Sequence, residues 1–513
     1  MLQTAWYYRA GRLLIRAAIL GVILLLIVRA AEYLGYAVRA ITFPFELDYG
    51  EGIVWQQVLL IPGSRMYGDI AQFPFIVFEY PPVYHLVVRA IATLGIDPLA
   101  AGRGATMAAT IAIAVLTGAI VSTAMREIVS TNARIVGAAV AGLMVLTYHP
   151  VQEWAVTMRV DMLAISFSIA GVYLAIVAGQ RTIILCAAIL MFLLSVYTKQ
   201  TELSAPLAAM LVAAVVNARS ALKASAFGLL IGGAAFIILQ LSTGGGFWHH
   251  VFEYNIHTRF YFQQVIEWIL SQKPDALGVL VGVMAFAFLW WTESTANLAR
   301  NLNGWVDAIR QSRRLCALVI VSLWFVLASA QLVSLGKWGI GSNYFIEWLC
   351  ITAVPTGMVA SLAWERVGIR DEVVRFAGLA GLLLSLAVAE HVLHRPLFTH
   401  RIVNDPNEIA PRVHLVNLIR KNPKPSLSDD MVLLVRAGQA VPLEPVIFNN
   451  LAATGIWDQR PFLKLIQNHA FGLVILAERE GEVFTSEIAS AIQNSYPLVE
   501  HVGNYIVCRP LEP

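Results

Sequence analysis

Long apolar runs recur along most of the chain and alternate with short polar segments. A helix needs about 20 residues to cross the hydrocarbon of a membrane, and most of the runs approach or exceed that length. The eleven predicted spans are 13–38, 104–125, 134–150, 160–179, 182–197, 203–217, 221–242, 276–292, 315–335, 347–363 and 373–393. The pattern therefore predicts a mainly α fold, a polytopic membrane helix bundle.

The segment 82–95, PPVYHLVVRAIATL, follows a different pattern. Its apolar residues fall on one helical face, while His85, Arg89 and Thr93 follow one another at i, i+4 and i+8 on the other. The preceding Pro81 and the initial Pro82 suit the start of a helix. We expect an amphipathic helix that lies in the membrane interface, inside a first outer loop at 39–103, rather than a further span.

The distribution of lysine and arginine predicts the orientation of the bundle. With 82–95 left out of the spans, the short loops assigned to the cytoplasm carry 15 Lys or Arg, whereas three short loops on the other side carry one each. Cytoplasmic loops of membrane proteins carry the excess of positive charge. We therefore expect a cytoplasmic N-terminus, with the loops 39–103 and 243–275 and the C-terminal region on the outer side.

Residues 395–513 differ in composition from residues 1–394, the predicted transmembrane module. They contain 23 charged residues in 119, against 46 in the preceding 394. MVLLV, GLVILA and NYIVC favour strands, and EIAPRVHLVNLIRK, RPFLKLIQNH and TSEIASAIQNSY favour helices. We expect a small C-terminal extracytoplasmic α/β domain that folds as a unit of its own.

Composition excludes several classes of protein. The chain is 58% hydrophobic and 13% charged, about half the charged fraction of a soluble domain. The net charge of +3 is small, and no aromatic-basic patch indicates a nucleic-acid partner. Four scattered cysteines show no CxxC spacing and indicate neither a zinc site nor disulfides. Glu390, His391, His394 and His400 match no ligand pattern, so no metal site is predicted.

Charged and polar side chains cluster where the predicted spans meet the outer face. The stretch FPFELDYGEGIVWQQ follows the first span and holds Glu46, Asp48 and Glu51 within six residues. Later outer boundaries add Arg159, Asp161, Lys199, Glu202, Lys337, Asn343, Tyr344 and Glu347, and the loop 243–275 adds His257 and Arg259. A single exposed acid is most often a solvated loop residue, but ionisable groups gathered at the membrane edge of a helix bundle indicate a functional site.

Several of these segments, in this order, resemble one family. The acidic first loop, EYPPVYHLVVRA, RVDMLAISFSIAGVYL, YTKQT and GSNYFIE are similar to the GT-C superfamily of membrane glycosyltransferases. The likeness is greatest to the bacterial branch of protein mannosyltransferases and aminoarabinose transferases. It covers about residues 13–365 and fades over 395–513. The chain departs from the family in its acidic loop, where Asp48-Tyr49-Gly50-Glu51 replaces an Asp followed at once by Glu.

The resemblance implies an inverting glycosyltransferase in the cell inner membrane. It would take a sugar from a polyprenyl phosphate donor among the membrane lipids and pass it, on the outer face, to an envelope glycan, lipid or protein acceptor. Asp48 matches the family's base, Glu51 is the second acid of the loop, and Asp161 matches a second outer acid. Lys199, Arg159 and Lys337 are the candidates for the donor phosphate, and the substrate-binding candidates are Tyr344, Asn343, Glu347, His257 and Arg259. A divalent cation is compatible with the resemblance, but nothing in the sequence indicates a cofactor.

Two other functions stay open at the level of sequence. A transporter or flippase of a lipid-linked sugar predicts ionisable residues near the middle of the membrane and broken helices, whereas these acids lie at the ends of mostly uninterrupted spans. A receptor-like or assembly protein, whose C-terminal domain binds a partner, is compatible with residues 395–513, since no catalytic motif occurs there.

Overall fold

The structure is a computed structural model that describes residues 2–271, 275–296, 302–366, 381, 403, 405–478 and 483–511. The predicted span 373–393 lies outside the described residues, apart from residue 381, and so do Glu390, His391, His394 and His400. The domain boundary expected at residue 394 also falls there and stays a prediction.

The described residues up to 366 form a bundle of helices. These are α1 (Leu2–Thr42), α2 (Glu51–Leu60), α3 (Val83–Ala92), α4 (Pro98–Ala124), α5 (Thr131–Val145), α6 (His149–Trp154), α7 (Asp161–Ala178), α8 (Thr182–Val196), α9 (Ser204–Ser242), α10 (Gly246–Trp248), α11 (Tyr254–Ile256), α12 (Phe262–Ser271), α13 (Ala276–Ala296), α14 (Leu302–Gln311), α15 (Arg313–Gln331) and α16 (Ile346–Arg366). Within the described ranges, α1, α4, α7, α9, α13, α15 and α16 are long and apolar enough to cross a membrane, and α5 and α8 are shorter apolar helices. The chain is a multi-pass membrane protein.

Helix α9 makes two passes. As one straight helix its 39 residues would extend about 58 Å, but Asn217 has non-helical backbone angles. Ser220 contacts Thr182 at the start of α8, whereas Gly232 accepts a hydrogen bond from Tyr197, just past the end of α8. The part after Asn217 therefore runs parallel to α8. The part before Asn217 begins just after the end of α8 and runs antiparallel to it. This agrees with the two predicted spans 203–217 and 221–242.

The C-terminal region has the predicted α/β character. Its elements are α17 (Pro406–Lys421), β1 (Ser426–Ser428), α18 (Met431–Arg436), α19 (Pro445–Ala453), α20 (Arg460–Gln467), β2 (Leu473–Ala477), α21 (Ser486–Ser495), β3 (Leu498–Val502) and β4 (Tyr505–Arg509). The sheet order is β1-β2-β4-β3, with β1 parallel to β2 and the other pairs antiparallel. The prediction of a strand at MVLLV is wrong. Asp430 caps this segment as a helix by accepting a hydrogen bond from the Leu433 amide, and a short buried apolar run does not distinguish the two structures.

The C-terminal region shares an apolar core with the first loop. Phe75 is 2% exposed, and its ring lies 6.3 Å from Phe448, 5.4 Å from Trp457 and 5.8 Å from Phe462, measured between centroids. Its backbone amide donates to the carbonyl of Pro442 at 2.9 Å. A domain of this size that shares its core with another segment depends on that segment for stability.

Helix α3 turns its polar side to the protein. His85 is fully buried and lies 2.9 Å from Gln57 Oε1, and Arg89 donates to the carbonyl of Val58 at 3.1 Å. Leu86 on the apolar side is 45% exposed. An apolar face turned outward beside membrane spans suits the interfacial helix that the sequence predicts.

The shared core predicts the effect of Phe75→Ala. Loss of a buried aromatic side chain costs ~3–5 kcal/mol, so the variant should unfold at a lower temperature in detergent and lose its C-terminal region to protease first. The matched control is Phe73→Ala, because Phe73 is 48% exposed in the same segment. Equal protease resistance of the two variants would contradict the shared core.

Candidate active site

A buried ion pair between Glu51 and Arg103 fixes the acidic loop. Both side chains are fully buried, and Arg103 Nε and Nη2 lie 2.8 and 2.6 Å from the two carboxylate oxygens. The remaining N–H groups of Arg103 donate to the carbonyls of Ala40, Phe43 and Phe45. Since a guanidinium has five N–H donors, all of its hydrogen-bonding capacity is used. The end of α1, the loop and α4 are thereby joined.

Glu51 is an anchor in this structure. Besides Arg103, its oxygens accept hydrogen bonds from the backbone amides of Met158, at 2.7 Å, and Leu47, at 2.8 Å. A carboxylate offers about four lone-pair positions, and here they are occupied. Glu51 therefore has no position left for a substrate proton, and the structure does not support the catalytic role that the sequence suggested for it.

A cavity of about 700 Å³ opens beside this loop. Its walls come from the acidic loop, the turn before α7, the α8–α9 turn, the segments 251–258 and 334–344, and α19 with its preceding residue. The ionisable side chains that line it are Asp48, Glu79, Glu444, Arg159, Lys199 and Lys337. Three carboxylates and three cations thus face one space.

Asp48 is the carboxylate of the loop that faces the cavity. Its side chain is 28% exposed, but its Oδ2 atom is buried against Arg159, 3.6 Å from Nη1, and accepts no hydrogen bond from the described residues. Burial raises the pKa of Asp48 to about 7, although the charge of Arg159 lowers it. A carboxylate with a pKa near neutrality and a free lone pair suits a general base.

Asp161, Lys199, Asn343 and Tyr344 come together as predicted. Lys199 Nζ donates to Asp161 Oδ1 at 2.7 Å, and Asn343 Nδ2 donates to the same oxygen at 2.8 Å. The ammonium also lies 4.7 Å from the ring centroid of Tyr344. Burial alone would lower the pKa of Lys199, but Asp161 and Glu202 hold it well above its usual value. Asp161 is fully buried behind Lys199 and holds that cation at the cavity wall.

Lys337 is a cation without an acidic partner. Its Nζ lies 3.4 Å from the carbonyl oxygen of Asn255, and none of the described carboxylates lies within ion-pair distance of it. Burial lowers the pKa of Lys337. A partly desolvated ammonium that has no carboxylate partner is suited to bind an anion from outside the protein.

Three of the predicted substrate-binding residues do not line the cavity. Glu347 accepts hydrogen bonds from Ser204 at 2.5 Å and from Trp324 at 2.6 Å, behind the wall. His257 is exposed, with Nδ1 at 2.8 Å from the carbonyl of Glu253. Arg259 stacks on Trp338 outside the lining. Their predicted contacts with substrate are not supported, whereas Tyr344 and Asn343 do line the cavity.

Sequence reasoning missed Glu79, Glu444 and Arg103. Glu79 lies within the quoted EYPP stretch, and its side chain has no hydrogen-bond or ion-pair partner among the described residues; burial raises its pKa. Glu444 comes from the C-terminal region, where no motif marked it. Burial and the charge of Glu79 raise the pKa of Glu444 to about 7. Arg103 carried a usable signal, because an arginine at the start of an apolar span requires a partner.

Thermal stability should separate the two acids of the loop. Glu51→Gln leaves the buried charge of Arg103 without its counterion, which costs ~3–5 kcal/mol. Asp48→Asn should be at least as stable as the native protein at pH 8. The folded state raises the Asp48 pKa from its unfolded value near 4 to about 7, so ionisation lowers stability as the pH rises through that window.

The measurement is the melting temperature of both variants in detergent at pH 8. An equal loss of stability in Asp48→Asn and Glu51→Gln would show that Asp48 is as much an anchor as Glu51, and would contradict the division of roles.

No family model and no curated protein matches the chain, whereas solved structures match its fold. ArnT from Cupriavidus metallidurans in the apo state has a TM-score of 0.51 at 13% identity, over 93% of this chain and 96% of that one. The same protein bound to undecaprenyl phosphate has a TM-score of 0.50 at 12% identity, over 93% of this chain and 97% of that one. A third structure is the archaeal oligosaccharyltransferase AglB from Archaeoglobus fulgidus, in complex with an inhibitory peptide and a dolichol-phosphate. Its TM-score is 0.45 at 10% identity, over 94% of this chain and 74% of that one. The chain therefore has the fold of ArnT, in agreement with the fold that the sequence resemblance implied.

Proposed function

We propose that the chain is an inverting glycosyltransferase that uses a polyprenyl-phosphate-linked sugar donor. The observation that carries this proposal is the cavity, in which Asp48, a carboxylate with a pKa near neutrality, lines a space that is also lined by Arg159, Lys199 and Lys337. The fold of ArnT supports it, and so does the undecaprenyl phosphate bound in the second ArnT structure, since that lipid belongs to the proposed class of leaving group.

The chemistry needs one base in the protein. An acceptor hydroxyl attacks the anomeric carbon of the donor sugar and passes its proton to the Asp48 carboxylate. A carbon–oxygen bond forms to the acceptor while the bond from the anomeric carbon to the phosphate oxygen breaks. The polyprenyl phosphate leaves with the electron pair, so its phosphate gains one negative charge. Phosphate is a good leaving group, and the second carboxyl that a glycosidase needs as acid is not required.

The cations act on the charge that develops at the phosphate. Fixed positive groups in a site with little water stabilise such charge without reorganisation during the reaction. Lys337 has no acidic partner among the described side chains and takes the phosphate directly. Lys199, held by Asp161 at 2.7 Å, supplies a second fixed charge. The charge of Arg159, 3.6 Å from Asp48, lowers the pKa of the base and so opposes the effect of burial.

The location and the acceptor belong to the proposal as well. The excess of lysine and arginine in the loops opposite the cavity supports a cytoplasmic N-terminus and a site at the outer face of the cell inner membrane. An acceptor at that face is an envelope glycan, lipid or protein.

Transfer from labelled donors tests the proposal directly. Sealed vesicles of known orientation that carry the protein are incubated with radiolabelled polyprenyl phosphate sugars and an envelope extract. Label should move to an acceptor on the face of the cavity, and not in vesicles without the protein. Movement of label across the membrane without transfer would support a flippase and contradict the enzyme.

Asp48→Asn should abolish transfer while donor binding survives. Removal of a general base costs about 10² to 10⁴ in rate, and a carboxylate does not hold an anionic phosphate. In the native protein the rate should fall about tenfold per pH unit below about pH 7 and level off above it, because Asp48 accepts a proton only when it is ionised. Near-native turnover of the variant at pH 8 would contradict the assigned base.

Lys337→Gln should weaken use of the donor. A hydrogen bond to a charged group contributes roughly 1.5–3 kcal/mol, so kcat/KM for the donor should fall about tenfold or more, mainly through KM, with no loss of thermal stability. The control is Lys421→Gln, since Lys421 is exposed in the C-terminal region. Unchanged donor KM in Lys337→Gln would assign Lys337 to a structural role.

A further inference from the structure

The N-terminal end of helix α19, in the C-terminal region, contacts the acidic loop. The hydroxyl of Tyr49, the residue after Asp48, donates to Glu444 Oε1 at 2.7 Å and accepts from the Val446 amide at 3.2 Å. Glu444 is 5% exposed and caps the helix through the amides of Val446 and Ile447. The position of Asp48 is thus linked to the first turn of α19.

The middle of α19 contacts the loop that precedes α12. Asn450 Oδ1 accepts a hydrogen bond from the backbone amide of Arg259 at 3.0 Å, and Asn449 Oδ1 accepts one from its guanidinium at 3.3 Å. The carbonyl of Arg259 in turn accepts from the amide of Trp338 at 2.8 Å, and its guanidinium lies 4.2 Å from the Trp338 ring. Trp338 follows Lys337, the proposed phosphate ligand.

Glu444 and Asn450, which make these two contacts, lie about 9 Å apart along the helix axis, at a rise of about 1.5 Å per residue. The helix between them has little freedom, because Phe448 is fully buried and its ring lies 4.8 Å from that of Trp457. Val446, Ile447 and Asn450 also line the cavity. One rigid element of the C-terminal region therefore contacts the loop of the base directly and is linked to the loop of the cation through Arg259.

We propose that α19 is a positioning element that sets the separation between Asp48 and Lys337, so that the C-terminal region is part of the active site. This inference rests on the proposed glycosyltransferase function. Tyr49 of the acidic loop, Glu444 at the helix cap and Asn450 of α19 act through Asp48 and Lys337 and need not touch the reacting atoms. A displacement of about 1 Å in such a site costs up to 10²-fold in rate, so contacts remote from the chemistry have measurable effects.

Tyr49→Phe tests the contact with the base. The ring stays in place and the hydroxyl is lost, so kcat should fall about fivefold to 20-fold, within the range for misplaced catalytic groups, with donor KM nearly unchanged. The Asp48 carboxyl should also become more hydrated, which moves the acidic midpoint of the pH–rate profile below about 7. The charged groups that act on Asp48 are Arg159, Glu51, Glu153 and Asp161, and all of them are retained.

Asn450→Ala tests the contact with the cation. Donor KM should rise about threefold to tenfold, in keeping with one lost hydrogen bond, while the pH midpoint stays in place. The control on the same helix is Ala453→Ser, since Ala453 is exposed, and it should leave both kinetic constants unchanged.

Amide hydrogen exchange on the purified full chain gives a readout that does not need the reaction. Exchange in 43–50 should rise in Tyr49→Phe, and exchange in 257–260 should rise in Asn450→Ala, each without a change in the other segment. If the native protein transfers no sugar, the proposed function fails while exchange still decides the role of α19. Unchanged exchange in both variants would overturn the inference. So would an equal loss of kcat in Tyr49→Phe and Asn450→Ala, if neither the midpoint of the pH–rate profile nor the donor KM changes.

Discussion

The ion pair between Glu51 and Arg103 is the interaction on which the rest of the site depends. Removing both charges from water is costly, and the pair is retained only where further hydrogen bonds satisfy the remaining positions. Here the guanidinium also holds three carbonyls at the end of α1 and in the loop, and the carboxylate also holds the Met158 amide before α7. The pair fixes the backbone that carries Asp48, whose own ion-pair partner is Arg159 at 3.6 Å.

Two acids three residues apart therefore have opposite environments. Glu51 is enclosed by donors, whereas Asp48 lines the cavity with a side chain that is 28% exposed and a pKa that burial raises. The same division applies on the cationic side, where Lys199 is held by Asp161 and Lys337 is available for an anion. In such a site the reactive groups stay available for substrate, because neighbouring groups of the same chemical type make the contacts that hold the backbone in place.

The sequence predicted the bundle well, because apolar runs of membrane length have few other interpretations. It also placed Asp48, Lys199 and Asp161 at one edge. It did not distinguish Asp48 from Glu51, since the difference lies in Arg103, which is distant in sequence. It gave no signal for Glu444, because a cap on a helix of another domain becomes part of the site only through tertiary packing. The prediction of a strand at MVLLV is wrong for a related reason. A short buried apolar run shows no periodicity that distinguishes a strand from a helix.

A structure of the full chain with undecaprenyl phosphate bound tests the central claim most directly. The account predicts that the phosphate lies in the cavity within hydrogen-bond distance of Lys337 Nζ, that Lys199 stays paired with Asp161, and that the Asp48 carboxylate lines the open space beside the phosphate. A phosphate bound outside this cavity, or an Asp48 carboxylate that is enclosed by protein donors as Glu51 is, would contradict it.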